Sequence, residues 1–503
     1  MDEAPESAPL DLVTMLGEHV ASRPDSTCLL FENQAISFAD LGARTDRVAG
    51  ALRTEGVKTG DRVAILAHSS PVFFELLLGC AKRGAIMVPI NHRLSGREVD
   101  EILRDSEPSL LIVDPALEDR APADGVMRRI TTTGFAEWRD AAAASARSAA
   151  MPDEPVLILY TSGTTALPKG VVLSHRNLSY LGRMAGELWG FADDSVNLAA
   201  MPLFHIGGIG WGLLAFSQGG ATVLTQATDP ATLLHLMRRH CVTHAFLVPT
   251  VIQLLVDHLD ATDDEAPRVA NMFYGAAPIG EVLLARSIRA FGCAFHHTYG
   301  MTETAGTTVT LGPEDHDPGG RWPERLRSCG RPMPWIELKL VDPATDEECG
   351  VGEVGEIRMR SPAITRGYWR RPEATAEALT TDGWLCSGDA AVQDEDGYLY
   401  LRDRYKNMIV SGGENIYPAE IDNVLQHHPA IREVAVVGAP HPKWGETPHA
   451  YVVLEPGMCA TEADIIGFVR ERLAHYKCPT KVHFVEGLPR NASGKILKRE
   501  LRE

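Results

Sequence analysis

Between about residues 60 and 300, short apolar runs alternate with stretches whose apolar residues recur at helical spacing. "RVAILAH" (62–68) predicts a strand, "PVFFELLLGCAKRG" (71–84) a helix ending at Gly84, and "IMVPI" another strand. "VLILYTS", "ATVLT", "THAFLVP" and "NMFYGA" follow as strands, separated by helices such as "PATLLHLMRRH" and "GEVLLARSIRAFG". Continuous apolar runs suit strands buried on both faces, so the pattern predicts parallel sheets covered by helices. Ligands in such folds gather at loops leaving the carboxyl ends of strands.

After about residue 330 the runs shorten and turns multiply, as in "GEIRMR" and "DGYLYL". From "ENIYPAEIDNVLQHHP" onward a helix precedes two strands, "EVAVVGAP" and "HAYVVLE". A helix over about 461–474, a strand "KVHFVE" and a basic tail complete a small α+β unit whose border falls near "LRDRYKN". The Ala-rich stretch 141–150 reads as a helix or a surface connector. Leu198–Phe216 carries no formal charge and approaches the length of a membrane span. Pro202, His205 and four glycines inside it would leave an irregular backbone in lipid, so the wall of a binding pocket is the better reading.

A chain of 503 residues exceeds one compact core and predicts two or more domains. The net charge of −19 lies entirely before Tyr405, since the segment from there onward holds 12 Lys/Arg against 12 Asp/Glu. An acidic body argues against nonspecific nucleic-acid or anionic-lipid binding. Nine scattered cysteines without a CxxC predict reduced thiols and no disulfide scaffold or zinc site. With an acidic N-terminus lacking a basic-then-apolar pattern, they lead to the expectation of a cytoplasmic protein.

The candidate chemistry starts at "YTSGTTALPKG" (160–170), directly after the strand "VLILY". It is no Walker loop, because Lys169 lies between Pro168 and Gly170. Hydroxyls at Ser162, Thr164 and Thr165, glycines that admit close backbone approach, and Lys169 would nevertheless suit an anion. A merely polar turn is the competing reading.

This stretch resembles the phosphate loop of the adenylate-forming enzymes: acyl- and aryl-CoA synthetases, nonribosomal adenylation domains and beetle luciferases. Six further segments match the family in order. They are "GAAP" (275–278), "YGMTET" (299–304), "GEIRMRSPAITRGYW" (355–369), "DGWLCSGD" (382–389), "LRDRYKNMIVSGGENIYPAEID" (401–422) and "PRNASGKILKREL" (489–501). The family usually has Gly where this loop has Ala166.

The resemblance implies an α/β fold. Residues 1–404 would form a large N-terminal domain of helix-covered, mostly parallel sheets with a β-rich subdomain. Residues 405–503 would form a small mobile α+β domain, hinged near Lys406. It also implies a two-step reaction: a carboxylate attacks the α-phosphorus of ATP, releasing pyrophosphate, and a thiol, usually of coenzyme A, then displaces AMP. Lys495 would bridge the carboxylate and α-phosphate, while Glu303 and Thr164 would hold Mg²⁺. Thr161, Ser162, Gly163, Thr164, Thr165 and Lys169 would cradle the phosphates. Tyr299, Gly275, Ala276 and Ala277 would flank adenine, with Gly300, Met301 and Thr302 beside them. Asp389 and Arg404 would take the ribose, and Ser411, Gly412, Gly413 and Glu414 the pantetheine of coenzyme A. Each has a plainer alternative: a solvated tail lysine for Lys495, a helix-start carboxylate for Glu303, a core tyrosine for Tyr299, a turn residue for Asp389.

The implied acid pocket draws on His205, Ile206, Gly207, Trp211, Gly275 and Gly300. No Lys or Arg occurs in its segments, which disfavours dicarboxylic acids, and no Asp after Phe204 is placed to pair an amino group. Gly207, Gly208, Gly210 and Gly212 either open a long cavity or permit close helix packing. Trp211 is a gate or a floor, and His205 is catalytic or structural. The expectation is an acyl-CoA synthetase for an apolar monocarboxylate, medium- or long-chain fatty acid first. An aryl or sterol-derived acid, a luciferase-type oxygenase and a non-catalytic sensor are the alternatives; retention of Lys495 and Glu303 speaks against the last. Homodimerisation stays open.

Overall fold

The computed structural model describes residues 11–121, 127–145, 147, 149–161, 168–277, 279–411, 414–490 and 496–502, with the side chains of Lys406 and Asn415 outside that set. The predicted strand–helix alternation builds two large sheets. The six-stranded sheet runs Arg128–Thr131, Leu110–Val113, Arg62–Leu66, Ile86–Ile90, Pro155–Thr161, Lys169–Ser174. All its neighbours are parallel except the last pair, an antiparallel hairpin that flanks the stretch "YTSGTTALPKG". The nine-stranded sheet has a parallel centre containing Val196–Ala199, Ala221–Leu224, His244–Leu247, Asn271–Gly275 and Ala294–Met301, with antiparallel strands at both margins.

The strands between Arg62 and Val113 are buried almost throughout, which accounts for their continuous apolar runs. The helix Val72–Arg83 buries Phe73, Phe74, Leu76, Leu77 and Leu78 and stops at Gly84, whose φ of 80° reverses the chain as expected. Its one buried charge, Glu75, is paired with Arg44 at 3.0 Å and Arg139 at 2.6 Å.

A four-stranded antiparallel sheet follows: Glu337–Val341, Val354–Arg360, Leu385–Gln393 and Leu399–Arg404. The turn Tyr405–Asn407 leads to a final five-stranded sheet of Ile409–Ser411, Glu414–Ile416, Ile431–His441, Gly445–Leu454 and Lys481–Phe484, covered by the helices Pro418–Leu425 and Glu462–Arg470.

One expectation needs correction. The helix expected over 461–474 ends at Arg470, where the Arg472 amide closes a tighter turn onto the Val469 carbonyl three residues back. The Ala-rich stretch is a connector: the preceding helix closes at Asp140 and no described residue of 141–150 is helical. Leu198–Phe216 divides into a strand end, a turn and the helix Ile206–Ser217. Among the described residues no helix is long and apolar enough to cross a membrane.

Candidate active site

The segments "GAAP" and "YGMTET" sit where strands end. Asn271–Gly275 and Ala294–Met301 are parallel neighbours, with Gly275 opposite Thr298. A Cβ at Gly275 would land on the Thr298 carbonyl, and one at Gly300 on the Gly306 carbonyl, so backbone crowding alone requires both glycines. Ala276 then turns through φ 63°, a left-handed conformation unfavourable for a residue with a Cβ, and is exposed. Ala277 follows it, half-buried. Met301 leads into the short turn Thr302–Thr304, which the Thr304 hydroxyl closes onto the Met301 carbonyl at 2.9 Å.

Tyr299 is buried and its hydroxyl donates to Asp389 Oδ2 at 2.8 Å. Asp389 Oδ1 pairs with Arg404 Nε at 2.9 Å, since the two residues are register partners on Leu385–Gln393 and Leu399–Arg404. Burial and the Asp389 carboxylate push the Tyr299 phenol well up, so it stays a neutral donor. Asp389 lies inside a strand and is not a turn residue. Among the described residues each of its oxygens keeps a lone pair beyond these two bonds.

A second focus gathers around Tyr368. Its hydroxyl donates to Glu303 Oε1 at 2.8 Å, and Lys169 Nζ lies 5.3 Å from its ring centroid. Thr161 faces Lys169 across the hairpin, its hydroxyl donating to the Lys169 carbonyl at 3.4 Å. Glu303 therefore reaches across to a phenol and does not cap its own turn. A lone carboxylate suits Mg²⁺, which keeps several waters and leans on substrate phosphates. Among the described residues no group of three or more His, Cys, Asp or Glu is placed to hold a metal ion.

His205 precedes the helix Ile206–Ser217, with Nε2 buried and without a hydrogen-bond partner. Burial, then Arg93 and His92, lower its pKa to about 4, so it is neutral at pH 7. Its neighbours form a chain of rings: Phe204 at 4.5 Å, His92 5.2 Å from Phe204, and His68 4.6 Å from His92. Ile206 flanks Gly306. Trp211 is a fixed wall: its indole donates to the Leu198 carbonyl at 3.0 Å, and Phe246 and Phe273 lie at 5.4 and 5.0 Å. A Cβ at Gly208 would strike the Pro202 carbonyl and one at Gly212 would meet Phe74 at 2.6 Å, so these glycines serve packing. A Cβ at Gly210 would press on Ile206 at 2.9 Å, whereas one at Gly207 would meet only Phe246 at an ordinary 3.4 Å. A cleft of about 530 Å³ borders this aromatic cluster through Trp189 and His296, but it is also lined by the charged Glu314, Asp315 and Arg331 and by none of the predicted acid-pocket residues.

Ser411 and Glu414 are opposed on the hairpin that leads into the helix Pro418–Leu425. Ser162, Gly163, Thr164, Thr165, Ala166, Gly412, Gly413 and Lys495 lie outside the described residues, as does the Lys406 side chain. Reading the sequence missed Tyr368, His92 and Arg93. The last two follow "IMVPI" in "NHR", at the carboxyl end of a parallel strand, and that position was the available signal.

The AMP-binding enzyme model matches residues 16–369, and the AMP-binding enzyme C-terminal domain matches residues 420–495. The chain belongs to the AMP-binding enzyme family. It is a ligase of the AMP-forming acid–thiol class. This AMP-binding enzyme is similar to the fatty acid–[acyl-carrier-protein] ligase ScoC of Streptomyces coeruleorubidus, 38% identical over 98% of this chain and 96% of that one. It is equally similar to a feruloyl-CoA synthase of Amycolatopsis, 38% identical over 95% and 96%. Among solved structures it is similar to the o-succinylbenzoate CoA synthetase (MenE) of Bacillus subtilis in complex with its acyl-adenylate intermediate. That match has a TM-score of 0.87 and 32% identity, covering 97% of this chain and 98% of that one.

Proposed function

We propose that this AMP-binding enzyme activates an apolar monocarboxylic acid, medium- or long-chain fatty acid first, as its adenylate and passes the acyl group to coenzyme A. The observation that carries this reading is the pair of polar foci: Tyr299–Asp389–Arg404 on one side, Glu303–Tyr368–Lys169 on the other. Asp389 accepts the ribose hydroxyls on its free lone pairs, Tyr299 flanks the base, and Lys169 meets the outer phosphates. Glu303 and Thr164 would hold Mg²⁺, which when bound would supply positive charge against the phosphates. Lys495 bridges the incoming carboxylate and the α-phosphate as the new P–O bond forms and pyrophosphate leaves, a step that depends on positioning and positive charge. Residues 405–503 then rotate about Lys406, withdrawing Lys495 and bringing Ser411–Glu414 to the site. The thiol sulfur attacks the acyl carbon, the thiol proton is lost and AMP departs. A neutral His205 with a free Nε2 is suited to accept a hydrogen bond from that thiol.

The uncharged helix Ile206–Ser217 supports an apolar tail. A planar aromatic acid is the second reading, favoured by the flat wall of Trp211, Phe246 and Phe273 and by glycines that add no volume at Gly208 and Gly212. A panel of fatty, aryl and dicarboxylic acids assayed for AMP release, with and without coenzyme A, tests both. The expected result is thiol-stimulated release with an apolar monocarboxylate. Release confined to dicarboxylates would contradict the reading.

A further inference from the structure

We propose that Tyr368 is a positioning residue that sets the Glu303 carboxylate for the divalent cation and ties it to Lys169 of the phosphate hairpin. This rests on the reading of Glu303 as a metal ligand. Glu303 projects from the three-residue turn Thr302–Thr304, and its side chain has three rotors, so an unsupported carboxylate there would sample many positions. The Tyr368 hydroxyl removes that freedom by donating to Oε1 at 2.8 Å, which among the described residues leaves Oε1 one lone pair and Oε2 both.

The phenol is itself held from the backbone outward. The Val172 amide donates to the Gly367 carbonyl at 3.1 Å, and the Trp369 amide donates to the Gly170 carbonyl at 2.7 Å. Val171 and Tyr368 form an antiparallel bridge. The Tyr368 amide donates to the Thr375 hydroxyl at 3.0 Å. The Thr365 amide donates to the Glu303 carbonyl at 2.7 Å, and the Thr365 hydroxyl donates to the Val172 carbonyl at 2.6 Å. Residues 365–369 are thus laced to the phosphate hairpin on one side and to the Glu303 turn on the other. The ring face also receives Lys169 at cation–π distance, so one side chain touches both the cation's carboxylate and the phosphate-directed ammonium.

Partners that orient a metal ligand are typically worth about 10- to 100-fold in metal affinity, and the lower end fits a single phenol hydrogen bond. The test uses Mn²⁺ as a paramagnetic probe, titrated into the full-length protein with α,β-methylene-ATP and followed by electron paramagnetic resonance. Tyr368→Phe, which keeps the ring under Lys169, is expected to weaken Mn²⁺ binding about tenfold, while AMP binding without metal is unchanged. Adding Tyr368→Phe to Glu303→Gln is expected to cost nothing further. Weaker Mn²⁺ binding in Glu303→Gln with unchanged binding in Tyr368→Phe would overturn the positioning role alone. An unchanged affinity in Glu303→Gln would instead overturn the metal-ligand reading beneath it. Equal losses of AMP and Mn²⁺ binding in Tyr368→Phe would reduce Tyr368 to general structural support and also overturn the proposal.

Discussion

Replacing Asp389 by Asn isolates the ribose focus. The carboxylate is largely buried, 14% exposed, and spends one lone pair per oxygen on Tyr299 and Arg404. Two ribose hydroxyls would take the remaining pairs. Asn keeps one oxygen and puts an NH₂ group where the other stood, so at least one ribose hydroxyl loses a charged acceptor. A hydrogen bond to a charged group is worth about 1.5–3 kcal/mol, which is roughly a 10- to 150-fold loss of AMP affinity. The cost to folding should be small, since Arg404 is 35% exposed and solvent screens the broken pair to about 1 kcal/mol at most. Calorimetric titration of AMP, 2′-deoxy-AMP and 3′-deoxy-AMP into both proteins separates the effects. The parent should lose affinity for at least one deoxy analogue, and Asp389→Asn should lose most of that discrimination. Full discrimination and full AMP affinity in the variant would refute the assignment.

The acid limb of stability should be set by buried histidines. Burial is the leading cause in each case, lowering His92, His175, His205, His297 and His316 to about 4 and His296 to about 3. The unfolded chain takes up protons below about pH 6.5 that the native state refuses, so stability rises with pH between about 4 and 6.5. The melting midpoint should therefore fall steeply on acidification through that window; a flat midpoint from pH 6.5 to 4.5 would contradict the burial argument. The glycine helix makes a paired prediction. Gly208→Ala forces a Cβ onto the Pro202 carbonyl and should cost about 1–3 kcal/mol in chemical denaturation, whereas Gly207→Ala should leave stability unchanged and shift the preferred acid. Equal destabilisation by both would mean that Gly207 also serves packing.

Buried strands were legible because burial on both faces leaves an apolar run with no other explanation, as at Arg62–Leu66 and Ile86–Ile90. Helix stops were legible where a glycine takes a left-handed turn, as at Gly84 and Gly292. Tyr368 stood in plain view within "GEIRMRSPAITRGYW", but its partner Glu303 is 65 positions away, and no periodicity encodes such a contact. The purpose of Gly208 and Gly212 depends on where Pro202 and Phe74 come to lie, so packing and cavity could not be separated from spacing. The pocket segments lacked Lys and Arg, yet Arg93 arrives electrostatically from a loop after a different sheet's strand. The reading that disfavours dicarboxylates counted only the charges within its own segments.

Acid-dependent exchange of labelled pyrophosphate into ATP, compared with thioester formation from a synthetic acyl-adenylate, bears most directly on the proposed division of labour between residues 1–404 and 405–503. Lys495→Ala should abolish the exchange while sparing thioester formation. Loss of both in equal measure, or exchange that survives the substitution, would contradict it.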